Sequence, residues 1–304
     1  MTDVSYNYHD ISSISSTLKS ITLTKVKREW DTIASLTNEQ LEALNGRSKV
    51  GCDMVDYYFF TERLVTVGKK GINFFDFLRD IDYYKTKHYI QTLLSFCEKN
   101  NRYTDSLVKR YYYIYGLCFG RINAFKITNA VKIYKMYPCS KILDPFCGFG
   151  GRLFGAMIAS KEYRGFDKNK HLQEKYEHIR EDFSDRCVAP FSIDIVDCLD
   201  IDYEKLSLDY PYDMVFTSPP YKNIEIYRCS SKKSDDEWSE FYTSLFTKVW
   251  KGLVENGYFI ININEEVYLE SLIPLFGECR EKILLTKTKK NSYDEYIYVW
   301  IKNS

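Results

Sequence analysis

Two short stretches of this chain carry residue types and spacings suited to group-transfer chemistry. In the first, Ile142-Leu143 runs into Asp144-Pro145-Phe146-Cys147-Gly148-Phe149-Gly150-Gly151. Glycines placed directly after an apolar strand let the backbone turn sharply and approach a ligand closely. No Lys-Ser or Lys-Thr pair follows, which argues against a triphosphate cradle. An acid ends the next strand, Tyr163-Arg164-Gly165-Phe166-Asp167, where a carboxylate can hold both hydroxyls of a ribose. The second stretch is Met214-Val215-Phe216-Thr217-Ser218-Pro219-Pro220-Tyr221. Its prolines stiffen the loop and remove competing N–H donors. The Pro219 carbonyl and Ser218 side chain can then act as acceptors that draw an amino group towards tetrahedral geometry. Tyr221 offers a ring that can stack on a base taken out of its helix.

A dehydrogenase would show a similar glycine loop and acid. What separates the two is Asp144-Pro145 ahead of the glycines and the Ser-Pro-Pro-Tyr loop at the fourth strand. Together these residues resemble the S-adenosylmethionine-dependent amino-methyltransferases of DNA. From about residue 119 to the end the chain is similar to members carried by bacteriophages and large DNA viruses, including Gly150-Gly151-Arg152-Leu153 and Glu225-Ile226-Tyr227. The resemblance implies S-adenosylmethionine as methyl donor and DNA as partner, with RNA as the alternative. It places Asp144 and the Gly148 and Gly150 backbone near the methionine end of the donor and Asp167 on the ribose, with Pro145 and Phe146 of the same loop as further donor-binding candidates. A third-strand acid usually meets the adenine edge. Asp197 is preferred to Asp194 because Phe191, Ile193 and Ile195 alternate and the strand should end before 197. The segment Gly120 to Phe125 would fold over the methionine part, which makes Phe125 a further candidate, with core packing as its alternative.

The catalytic candidates are Ser218, Pro219, Pro220 and Tyr221. Methylating an exocyclic amine needs no covalent enzyme nucleophile. Serine at the first loop position goes mostly with cytosine N4 in this family, and aspartate or asparagine with adenine N6. The Thr-Ser-Pro-Pro-Tyr form therefore favours cytosine N4. Glu225 and Tyr227 either hold the loop or target nucleotide, or simply bond to each other. Pro138-Cys139 resembles the nucleophile of base-carbon methyltransferases, but it precedes the cofactor strand and is read as structural. A third possibility, of another class, is an inactive methyltransferase fold serving as a binding subunit; intact motifs argue against it.

These stretches need a scaffold, and the chain has one. Its 304 residues are 45% hydrophobic, enough for a sizeable core. The texture predicts a helical region over 1–118 and a methyltransferase domain over 119–304. In the first, Thr37-Asn38-Glu39-Gln40 predicts a capped helix, Phe74 to Tyr84 and His88 to Phe96 show helical spacing, and Lys69-Lys70-Gly71 and Lys99-Asn100-Asn101 read as turns. In the second, strands are expected at 141–143, 163–166, 191–195, 214–217 and 258–264. A helix capped by Ser234 and Glu237 should end at Asn256-Gly257. Lys282 to Thr288 and Tyr296 to Ile301 read as a terminal hairpin. The fold class is α/β, Rossmann-like, with a mostly parallel sheet and an antiparallel edge.

Charge is uninformative about the partner: Lys plus Arg and Asp plus Glu are 42 each. Basic residues beside the second loop (Lys222, Arg228, Lys232, Lys233) or in the terminal turn (Lys287, Lys289, Lys290) could position phosphates. The 27 tyrosines either stack on bases or reflect an A+T-rich coding sequence. Nine cysteines without a CxxC pair and four histidines without ligand spacing point to free thiols and no metal site. No apolar stretch reaches the roughly 20 residues of a membrane helix, and Met1 to Ser20 lacks a signal-peptide core. A soluble, cytoplasmic protein is expected (host-cell cytoplasm if viral). The N-terminal helices could read the target, form a homodimer or lid the site.

Overall fold

A computed structural model describes residues 8–285 and 295–303 of the chain. Eight helices come first: α1 (Tyr8–Leu18), α2 (Leu23–Ala34), α3 (Asn38–Ala43), α4 (Cys52–Val65), α5 (Phe74–Arg79), α6 (Ile81–Lys85), α7 (His88–Lys99) and α8 (Leu107–Cys118). Then α9 (Ile127–Met136) leads into β1 (Lys141–Asp144), α10 (Gly151–Ile158), β2 (Glu162–Asp167), α11 (Gln173–Asp182) and β3 (Phe191–Ile195). After these come α12 (Tyr203–Asp209), β4 (Met214–Thr217), α13 (Asp235–Gly252), β5 (Tyr258–Ile263), β6 (Glu281–Leu284) and β7 (Tyr296–Ile301).

The seven strands form one sheet in the order β3-β2-β1-β4-β5-β7-β6. Strands β1 to β5 pair in parallel, and β7 pairs antiparallel with both β5 and β6. The expected antiparallel C-terminal hairpin is present as β6 and β7, but β6 forms the edge and the antiparallel strand β7 lies inside it. Short helical segments over 265–276 carry the chain from β5 across to β6 and leave one place between them, which β7 fills. The proposed phosphate contacts Lys287, Lys289 and Lys290 lie outside the described residues.

Strand alternation builds two cores. Ile142, Met214, Phe216 and Ile260 point to one face, and Leu143, Val215, Phe259 and Ile261 to the other. All eight are fully buried, and each such side chain contributes about 1.5–3 kcal/mol. The second face is covered by α13, whose capping box has the Ser234 N–H donating to Glu237 at 2.7 Å and the Glu237 N–H donating to Ser234 at 3.2 Å. That helix ends at Gly252, earlier than Asn256-Gly257 implied. A side chain at 252 would run into Tyr212 and Tyr203, and Leu253 turns inward to be buried. Asn256 is left-handed (φ 60°), but in the turn before β5.

The first face is covered by α9, α10 and α11, and by three N-terminal helices as well. Val26, Trp30 and Ile33 of α2, Leu41 of α3, and Met54, Val55, Tyr58 and Phe59 of α4 belong to the same core as Leu153 and Phe154. A separate cluster joins α1, α5, α7 and α8 to the other side of α4. The expected helix over Phe74 to Tyr84 is two helices, broken at Asp80, whose N–H closes onto the Asp76 and Leu78 carbonyls. Six tyrosines (134, 163, 203, 212, 242 and 298) are among the largest fully buried side chains, so much of the tyrosine content is core. Among the described residues no helix is long and apolar enough to cross a membrane.

Candidate active site

The ends of β1 and β4 are tied together by a buried carboxylate. Asp144 is fully buried. Its Oδ2 accepts from Arg152 Nε at 2.7 Å and Tyr163 Oη at 2.6 Å. Its Oδ1 accepts from Thr217 Oγ1 at 2.6 Å and the Phe146 N–H at 3.1 Å. Arg152 is buried too and donates onward to the Phe146 carbonyl. An ion pair removed from water survives only when its remaining polar atoms are bonded, as here. Asp144 thus braces the loop from within, and its side chain does not line the crevice described next.

Above the C-terminal ends of the strands lies a crevice of about 1330 Å³. Pro145, Phe146, Gly148, Asp167, Asp197, Phe125 and all of Ser218 to Tyr221 line it. Gly148 is left-handed (φ 54°), and a side chain there would meet only the Phe146 carbonyl, at 3.8 Å. Its open side faces the crevice. Gly150 is also left-handed (φ 69°), but a Cβ would come within 2.9 Å of Phe59. Gly150 shapes the turn into α10 and does not line the crevice.

Asp167 Oδ2 accepts from the Gly148 N–H and Oδ1 from the Asn169 N–H, both at 2.9 Å. Burial pushes its carboxyl above the ordinary carboxylate value, against the pull of those two bonds. Asp197 Oδ1 caps Leu199 at 3.1 Å, while Oδ2 has Lys168 Nζ 3.6 Å away. Asp194 points elsewhere: it pairs with Arg164 and does not line the crevice. Phe125 lies edge-on to Phe216 with centroids 5.4 Å apart, under the Arg152 guanidinium.

The β4 loop is clamped from several sides. Tyr242 Oη accepts from the Lys222 N–H at 2.9 Å and donates to the Pro220 carbonyl at 2.6 Å. Among the described residues no donor binds the Pro219 carbonyl. At the end of β5, Asn262 is buried with Nδ2 donating to the Tyr296 carbonyl at 2.9 Å, which fixes its amide. Asn262 Oδ1 then accepts from Ser218 Oγ at 3.2 Å and from Tyr221 Oη at 2.9 Å. Tyr221 Oη also reaches Glu295 at 3.0 Å. With its proton engaged by Asn262, the Ser218 oxygen presents lone pairs to the crevice.

Farther along, Tyr227 donates to Glu225, and both line the crevice. Burial raises the Glu225 carboxyl above its ordinary value; Tyr227 opposes this, and the nearby Glu295 charge adds to it. Ile226 exchanges backbone bonds with Val67 at 2.9 and 3.1 Å, which stitches this loop to the end of α4. Two proposed phosphate contacts are occupied within the protein. Lys222 pairs with Glu266 and, at 3.0 Å, with Glu270, and Arg228 lies 3.8 Å from Glu62.

Arg152, Tyr242 and Asn262 were given no such role from sequence. The polar residue in the buried run Phe259 to Ile263 was the available signal for Asn262. Cys139 is buried away from the crevice, and burial pushes its thiol up to about 12.

The strand order, with β7 antiparallel between β5 and β6, defines the Rossmann-like class I methyltransferase fold. No protein-family model and no curated protein matches the chain. Similar solved structures include an rRNA methylase from Streptococcus thermophilus, 13% identical, covering 54% of this chain and 87% of that one, TM-score 0.37. N-methyltransferase NodS from Bradyrhizobium japonicum WM9 is 10% identical, with coverages of 59% and 94% and TM-score 0.40. NSun6 from Pyrococcus horikoshii, solved with SFG, is 12% identical, with coverages of 60% and 53% and TM-score 0.43.

Proposed function

We propose that this chain transfers a methyl group from S-adenosylmethionine to an exocyclic amino group of a nucleic-acid base. DNA is the first candidate substrate and cytosine N4 the first target, ahead of adenine N6; RNA is the alternative. The observation that carries the reading is the shared crevice: the Pro145–Gly148 loop and the Ser218–Tyr221 loop line one space and are joined through Thr217 and Asp144.

The residues suit the donor. Gly148 bares its backbone to the crevice, where a side chain would stand in the ligand's place. Asp167 keeps a second lone pair on each oxygen after accepting two N–H bonds, enough for a ribose diol. Asp197 stands at the third strand end for the adenine edge, and Phe125 and Phe146 supply apolar walls. S-adenosylmethionine supplies an electrophilic methyl on a sulfonium.

The protein's share of the chemistry is positioning. The Ser218 oxygen and the Pro219 carbonyl accept from the two N–H bonds of the target amine and turn its lone pair outward. Tyr221, anchored by Asn262 and Glu295, holds its ring at a fixed angle for stacking on the extruded base. The domain over 119–304 performs the transfer, and the helices before it wall one side of the crevice. The reading is tested by calorimetric titration with S-adenosylmethionine, followed by methyl-transfer assays on DNA and RNA of matched sequence. Binding and transfer are expected; a chain that binds no donor would be a scaffold.

A further inference from the structure

The crevice does not stop at the strand ends. It continues beneath the N-terminal helices, where Tyr103, Tyr112, Tyr113, Arg121 and Lys126 line it. Its volume, about 1330 Å³, exceeds the roughly 300–1,000 Å³ of a site for one small ligand. Space therefore remains for a second, larger occupant.

The chain segment that supplies those five residues differs in charge from the rest of the chain. From Gly68 to Lys126 there are eleven lysines and arginines against five acidic residues, in a protein of zero net charge. The five acids are all engaged, by Arg79, Lys85, Lys109 or Arg110. Seven cations are left without a carboxylate partner among the described residues. Three of them lie on aromatic rings, one being Lys87, 4.1 Å from the Tyr83 centroid. The Arg121 guanidinium is 4.3 Å from the Tyr112 centroid, and Arg102 is 5.6 Å from Tyr113 and 5.3 Å from Phe96. Tyr103 sits 5.4 Å from Tyr113 and is exposed. Gly116 makes room for this arrangement: a Cβ there would come within 2.5 Å of Arg121 Nε. A glycine inside α8 weakens the helix, and here it gives the Arg121 guanidinium its space.

We propose that this face, running from Arg121, Tyr112 and Tyr103 at the crevice to Arg102 outside it, binds single-stranded nucleic acid flanking the target base. Unpaired cations meet phosphates, and tyrosine rings offer stacking surfaces that tolerate any base. The proposal rests on reading the crevice as the site of base methylation. It adds that the substrate strand is held unpaired, by α8 and the segments on either side of it.

The test is fluorescence anisotropy with labelled single strands of about twelve nucleotides, within the usual site size, as oligo-dT and as oligo-rU. The full chain is compared with Arg102→Ala/Arg121→Ala and with Lys205→Ala, the loss of one positive charge on α12 across the sheet. The wild type is expected to bind at least one probe. The double variant should bind about tenfold more weakly, with a salt slope shallower by roughly 0.7 per lost phosphate contact. Lys205→Ala and the affinity of each variant for S-adenosylmethionine should be unchanged. No binding of either probe, equal binding by the double variant, or an equal loss in Lys205→Ala would overturn the proposal. Probe binding that depends on Arg102 and Arg121, in a chain that takes up no S-adenosylmethionine, would sustain this surface while removing the methyl-transfer reading.

Discussion

The Thr217 hydroxyl donates to the Asp144 carboxylate at 2.6 Å, and through that bond the end of β4 is held against the end of β1. The two loops that would carry donor and target spring from these residues. Their relative position is therefore set by a buried polar bond as well as by strand pairing. Thr217→Val should keep the fold but lose about 1–3 kcal/mol of stability, because a buried charged acceptor loses a donor. Urea unfolding measures it, and an unchanged midpoint would show that the bond is dispensable.

Asp144→Ala removes the only carboxylate paired with Arg152 among the described residues. An uncompensated buried guanidinium costs about 3–5 kcal/mol. Donor binding should fall with stability, since the side chain acts through the loop and does not face the crevice. Calorimetry beside urea unfolding checks this: weakened donor binding with undiminished stability would mean direct contact.

Asp167 gives a pH dependence of definite sign. Burial raises its carboxyl in the free protein, so it keeps a proton at pH values where the unfolded chain has lost one. Its contribution to folding stability accordingly falls as pH rises from the ordinary carboxylate value, about 4, through the raised one. A ribose diol needs the ionised acceptor, so donor affinity should move the other way and drop as pH falls through the raised value. Asp167→Asn should bind weakly at every pH and flatten the profile in calorimetry. A wild-type profile already flat across that range would remove Asp167 from the ribose.

Asn262 is a positioning residue. Asn262→Ala removes the acceptor that the Ser218 and Tyr221 hydroxyls share, and turnover should fall about 10- to 100-fold while donor affinity holds, the pattern of an interaction made in the transition state. Tyr221→Phe should fall less than Tyr221→Ala, because the ring remains for stacking. Steady-state kinetics with calorimetry separates the cases; equal loss in both Tyr221 variants would shift its role from ring to hydroxyl.

Cys139 should resist alkylation in the folded protein, because the thiolate is the reactive form and burial pushes this thiol up to about 12. Mass spectrometry of peptides after brief iodoacetamide treatment at mild alkaline pH reports it. Fast labelling of Cys139 before the half-buried Cys52, Cys118 and Cys279 would reopen the question of a nucleophile.

The parts legible in the sequence are those encoded locally. Strand β3 and strand β4 follow from alternating or continuous apolar runs, and the start of α13 from Ser234 and Glu237 three residues apart. What was not legible depends on partners far along the chain. Asn262 meets Ser218 and Tyr221 across 44 and 41 residues, and Val67 meets Ile226 only because α4 packs on the sheet. Asp144 shows the ambiguity most clearly. A carboxylate at a strand end before glycines has the same spacing whether it faces a ligand or an arginine eight residues on. Here the buried Arg152 decides, and helices α2 to α4 join α9, α10 and α11 over one face of the sheet, a packing that no local pattern in the sequence announces.

The central claim is methyl transfer to a base amine, and nucleoside mass spectrometry tests it most directly. DNA and RNA are incubated with the protein and S-adenosylmethionine carrying an isotopically labelled methyl group, digested, and compared with a Pro219→Ala/Tyr221→Ala control. The account predicts label on an exocyclic nitrogen, cytosine N4 first, that is lost in the control. Label on a ring carbon, or none in either polymer despite bound donor, would contradict it.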